Sequence, residues 1–146
     1  MNNIKYLLLM FSLLCSFNIV AKIVRLEWTG EIAKKSTSVV AYYFENYDRL
    51  EVKSEGELKV ELSYPYLSEG FKHFEIFSSP DKSKQWLVSY WRKGVHGEHI
   101  VVIDLKDSKV LYDETSSWPM KVLRDEKGVT LINYAGKKEL ETRLNY

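Results

Sequence analysis

The chain has 146 residues, 45% apolar, 14% aromatic and 28% charged, the profile of one globular domain rather than of a disordered or membrane-embedded chain. Its 21 Lys and Arg face 20 Asp and Glu, a balance too even for a protein that coats a polyanion, which sets nucleic acid aside as a partner.

In chain order, the first element reads as a targeting signal. Lys5 is the only charge in residues 1–21, the run 6–20 is almost wholly apolar, and small Ala21 precedes charged Lys22. This order predicts a secretory signal peptide cleaved before Lys22. The run is short of the roughly 20 apolar residues that span a bilayer, so an uncleaved anchor is the weaker reading and no membrane insertion is expected after cleavage. Cys15 has Leu14 before it and Ser12 three positions before it, which departs from a lipobox, and acylation is not expected. The predicted organisation is therefore a signal peptide over 1–21 and a single domain over 22–146. Cleavage removes one basic residue and the only Cys. The remaining chain then has equal numbers of acidic and basic side chains and no disulfide. An exported protein held by its core alone points to a Gram-negative periplasm, with secretion to the medium as the alternative.

After the signal, apolar residues alternate with polar ones. Val24, Leu26 and Trp28 alternate in the first strand, Leu58, Val60 and Leu62 in the stretch 57–63, and Phe74 and Ile76 in 73–76. Further strands are predicted over 39–45, 85–92, 99–105, 109–113, 120–124, 129–134 and 139–144. Turn chemistry separates them at 54–56, 68–70, 79–81, 106–108, 126–128 and 135–137. About ten short strands joined by short loops predict an all-β domain of antiparallel meanders.

One stretch has a more particular shape. Ser79-Pro80-Asp81, then Trp86-Leu87-Val88-Ser89-Tyr90, then Ile100-Val101-Val102-Ile103-Asp104-Leu105 hairpinning into Val110-Leu111-Tyr112, resembles one blade of a β-propeller of the TolB-like or WD40-like kind, at about residues 73–113. A closed propeller needs about four blades of roughly 40 residues, more than residues 22–146 supply. The resemblance therefore implies a propeller-like fragment, read as an antiparallel β-sandwich of two stacked sheets, with a single-sheet barrel as runner-up.

Catalytic signatures are missing from the sequence. It has no Gly-x-Ser-x-Gly elbow, phosphate-cradling loop or dinucleotide fingerprint, and residues 22–146 have no Cys to serve as nucleophile or metal ligand. His96-Gly97-Glu98-His99 is the best metal candidate, yet it falls where a hairpin should turn. No metal, no cofactor and no enzymatic activity are expected.

The aromatic residues carry more information. Trp86, Val88 and Tyr90 share one face of a strand and Leu87, Ser89 and Trp91 the other. Either this strand is covered on both sides, or Trp91 beside Arg92 lies on a contact surface. The stretch 92–98 is basic with two glycines, and 113–119 is acidic and hydroxyl-rich, ending on Trp118. Read as two long loops at the same end of one hairpin, they nominate Trp91, Arg92, His96, Ser117 and Trp118 as partner-binding residues.

Three functions fit. The first is an exported inhibitor or immunity protein that blocks a peptidoglycan-degrading enzyme by loop insertion, in outline similar to exported all-β immunity proteins. The second is an accessory envelope protein docking in a larger assembly. The third is an enzyme or carbohydrate-binding module, with Trp91, Trp118 and Tyr66 as sugar-stacking platforms.

Overall fold

The computed structural model of the protein describes residues 23–66 and 68–146. The expected signal segment, its cleavage before Lys22 and Cys15 lie outside the described residues. The described residues form eleven strands and no helix, an all-β architecture.

The strands make three antiparallel sheets, each a meander of neighbours in sequence. The first holds β1 (Ile23–Ile32), β2 (Lys35–Tyr43), β3 (Tyr47–Ser54) and β4 (Glu57–Pro65). The second holds β5 (Phe71–Ser78), β6 (Gln85–Lys93), β7 (Gly97–Asp104) and β8 (Lys109–Ser116). The third holds β9 (Lys121–Asp125), β10 (Gly128–Ala135) and β11 (Lys138–Asn145), with β10 in the middle. None of the sheets closes into a barrel. The stretch with the blade-like sequence forms the second sheet.

The strand that sequence reading passed over is β3. Its inward phase is Asp48, Leu50, Val52, all buried, and the aspartate in an apolar phase hides the period. The Asp48 carboxylate accepts the Phe71 backbone N–H at 2.7 Å, so it is buried with a partner across the first two sheets.

Two cores show how the sheets stack. Val39, Ala41, Leu50, Val52 and Leu62 of the first sheet pack with Phe71, Leu87, Trp91, Val101 and Ile103 of the second. On its other face the second sheet packs Trp86, Val88, Tyr90, Ile100 and Val102 against Met120, Val129 and Leu131 of the third region. The arrangement is three layers rather than two, with the second sheet in the middle. Alternation along β6 and β7 thus serves two cores at once, and both strands are buried from Trp86 to Trp91 and from Glu98 to Asp104.

Two of the hairpins in the first sheet turn in two residues. Between β3 and β4 these are Glu55 and Gly56 at φ 54° and 80°, and between β1 and β2 they are Ala33 and Lys34 at φ 50° and 65°. Positive φ at both positions matches the right-handed twist of the flanking strands but is strained for residues with a Cβ. Replacing Ala33-Lys34 with Asn-Gly is expected to raise unfolding free energy by about 1 kcal/mol, whereas Gly56→Ala lowers it by a similar amount. Urea unfolding of the two variants, read at constant slope, checks both signs.

Candidate functional site

In a meander, every second connection emerges at the same end. Five do so here: 44–46, 66–70, 94–96, 117–120 and 136–137. Register places them together, since Lys93 pairs with Gly97 across the β6–β7 hairpin and Glu98 pairs with Ser116 on β8.

Bonds between distant parts of the chain hold this end. Gly94 N–H donates to the Ser68 carbonyl at 3.0 Å and Arg92 N–H to the Gly70 carbonyl at 2.7 Å. The Arg92 guanidinium donates to the Tyr66 carbonyl at 2.9 Å and lies 5.7 Å from the Tyr66 ring centre. On the other side, Ser117 N–H donates to the Tyr134 carbonyl at 2.8 Å, Tyr134 N–H to Ser116 Oγ at 2.9 Å and Gly136 N–H to Ser117 Oγ at 3.2 Å. The central hairpin is therefore clamped to the 66–70 connection on one side and, through the end of β8, to the third sheet on the other.

Neighbouring residues of β7 point to opposite faces, and both carry ionisable groups. His99 faces the first sheet. Its Nδ1 lies 3.3 Å from Glu69 Oε2, its Nε2 lies 2.6 Å from Asp113 Oδ1, and Glu69 also pairs with Lys93. The Tyr64 ring meets His99 edge-on at 4.9 Å and Trp91 at 4.8 Å. Burial, with the Asp113 charge as a smaller cause, pushes the Tyr64 phenol up to about 12. Glu98 faces the third sheet, where it pairs with Lys72 and accepts the Met120 N–H at 2.9 Å.

The four residues of the His-Gly-Glu-His motif thus diverge. The His96 ring lies in the turn, stacked on Trp118 at 5.6 Å and 21°. His73 stacks on Tyr90 at 4.3 Å. Among the described residues no group of three His, Cys, Asp or Glu side chains is arranged to hold a metal ion.

The nominated residues separate into two groups. Trp91 has no exposed surface; its indole N–H donates to Ser89 Oγ at 3.1 Å, and that hydroxyl donates to the Val101 carbonyl at 3.2 Å. Placing Trp91 at a partner contact is therefore corrected: its strand is covered on both faces, and the indole belongs to the core. Arg92, His96, Ser117 and Trp118 are exposed and lie at one end. Arg92 is nevertheless committed to the 66–70 connection.

The two stretches are also not long loops. Strand β6 runs to Lys93 and β7 begins at Gly97, leaving a three-residue turn, while β8 runs on to Ser116. Sequence reading missed Val95, at 87% the most exposed large apolar side chain among the described residues, because a lone Val in a polar, glycine-containing turn carries no periodicity. It also missed the Glu69–His99–Asp113 contact, whose members lie 30 and 14 residues apart. Val95, His96 and Ser117 line an open groove of about 580 Å³ with Lys93 and Tyr134.

Comparison of the chain with family models, with curated proteins and with solved structures finds no match.

Two expectations follow from burial. Trp91→Ala should cost about 3–5 kcal/mol of stability through the cavity it leaves, while half-exposed Trp118→Ala should stay within about 1 kcal/mol; chemical denaturation of both variants tests the contrast. Tyr64 and Tyr90 are both raised above 10.0, chiefly by burial. For an acid raised in the folded state, the unfolded chain ionises first. Stability should therefore be intact below pH 10 and fall as pH rises through 10 toward 12. Unfolding midpoints between pH 8 and 11.5 should drop for the wild type and drop less for Tyr64→Phe.

Proposed function

We propose that this protein is a non-enzymatic, exported binding protein that engages a protein partner with the end of the stack where the 94–96 turn and the 117–119 connection meet. The observation that carries the reading is Val95, an apolar side chain 87% exposed at the tip of a hairpin whose own strands are the most buried in the molecule. An exposed apolar group on a rigid support loses little conformational freedom on binding. Beside it, the stacked His96–Trp118 pair leaves Trp118 half exposed, and Trp is among the residues that dominate interface energy.

A three-residue turn that exposes one apolar side chain is small enough to enter a cleft, which favours the inhibitor form over flat docking in an assembly. The target class we carry forward is a peptidoglycan-degrading enzyme of the envelope. It is supported by the signal-like N-terminus, which would place the protein in the envelope.

The test is Val95→Asp. The melting temperature should stay within about 2 °C, because the side chain contacts solvent. Binding to the partner captured from periplasmic extract should weaken by about 2 kcal/mol, roughly thirtyfold. Wild-type protein should suppress peptidoglycan hydrolysis by that extract and the variant should not. Undiminished capture and suppression by Val95→Asp would remove the tip from the interface. Capture without any suppression would replace inhibition with the assembly role.

A further inference from the structure

An edge strand offers unpaired N–H and C=O groups to any other strand, and natural sheets blunt their edges with bulges, shortness or charge. The four edges of the first two sheets are all interrupted. Register shifts fall between Val24 and Leu26 on β1, opposite Val52/Lys53 on β4, between Phe71 and His73 on β5, and opposite Val102/Ile103 on β8. In each case the extra residue lies on the edge strand rather than on its inner neighbour, so each bulge bends an edge. The third sheet differs. Strand β9 has five residues, and β11 has eight, paired with β10 from Lys138 to Asn145 without a shift. Among the described residues, β11 is the one long, regular edge.

Its sequence is also complementary to itself. Pairing β11 antiparallel with a second β11 about a two-fold axis through Thr142 sets Thr142 opposite Thr142, Glu141 opposite Arg143, Leu140 opposite Leu144 and Glu139 opposite Asn145, with all but the central pair occurring twice. Moving the axis by one residue either way sets Glu141 against Glu141 or Arg143 against Arg143. Moving it to Leu140 sets Glu139 against Glu141. Of these four registers only the one centred on Thr142 avoids like charges while pairing most of the strand, and opposite-charge and Thr–Thr pairs are among those that stabilise adjacent strands. Faces agree as well. Glu141 and Arg143 lie opposite Ile132 and Thr130 on the outer face, while Leu140 and Leu144 lie opposite Asn133 and Val129 on the face toward the second sheet. Leu144 packs on the core there, and Leu140 is 41% exposed beyond it. Pairing would cover Leu140 with the partner's Leu144.

We propose that β11 is a homodimer interface, at which two copies of the chain join edge to edge in the Thr142 register to form one six-stranded sheet. Such a two-fold contact uses the same surface on both subunits and closes, leaving the short β9 strands as the outer edges. It lies apart from the Val95 tip and is independent of the function proposed for that end.

Sedimentation velocity of the full chain in a Cys15→Ser background should show a dimer. Glu141→Arg sets Arg against Arg143 twice and should weaken dimerisation about tenfold or more. The exchange Glu141→Arg with Arg143→Glu restores opposite charges and should restore the dimer. Thermal melts of each variant confirm the fold. Thr142→Cys reports the register directly, because residues facing each other across an antiparallel pair lie within disulfide reach. It should oxidise to a covalent dimer, and Leu140→Cys should not. A monomeric wild type, a dimer indifferent to Glu141→Arg, or cross-linking at 140 rather than 142 would each overturn the proposal.

Discussion

Burial of the second sheet on both faces is the constraint from which the rest of the structure follows. Of the twelve largest fully buried side chains, seven lie in β6 and β7. At roughly 1.5–3 kcal/mol for each fully buried apolar side chain, these two strands alone supply apolar stabilisation comparable to the net stability of a whole domain. That gain requires a covering layer on each side, and the chain provides both by folding residues 23–65 and 121–145 into meanders that flank the middle. Without disulfides among the described residues, the two interfaces are what hold the molecule together.

The same constraint explains where the charges sit. A strand covered on both faces has room for ionisable groups only near its ends, and there each one must find a partner or bear the full cost of leaving water. Glu98 and His99 meet this requirement in opposite directions, one through Lys72 and the Met120 N–H, the other through Glu69 and Asp113. Two adjacent residues thereby tie the central layer to polar groups on both sides, at the end that also carries the exposed tip.

The all-β class, ten of the eleven strands and six of the ten connections between them were legible because they rest on local periodicity and turn chemistry. Asp81, Asp104 and Asp125 illustrate this: each carboxylate accepts one or two backbone N–H bonds within three residues of itself and closes its own turn. The third layer was not legible, since alternation shows that a face is buried but not what buries it. Trp91 and Trp118 show the limit at single residues. Both are indoles near a hairpin end, and only the Ser89 hydroxyl beneath one and solvent around the other separate core from surface. Of the candidate site, the end of the sheet and the exposure of His96, Ser117 and Trp118 came from strand direction, whereas Val95 and the Glu69–His99–Asp113 contact required the fold.

The two ends of the stack are closed by different means, and the difference bears on which end can recognise a partner. At one end three of the turns are capped by their own carboxylates, Asp81, Asp104 and Asp125, alongside bonds to neighbours such as that from Arg124 to the Ser78 carbonyl. At the other, the connections bond to one another: 66–70 to 92–94, and 116–117 to 134–136. Displacing one of these would break bonds to the next, so the Val95 turn is held directly by the 66–70 connection and indirectly, through the end of β8, by the third sheet. A recognition surface needs this kind of support, because ordering a mobile tip on binding would consume much of the free energy that one apolar side chain and one aromatic pair can supply. Long-range clamping at this end lets the three residues of the 94–96 turn act as a single rigid unit.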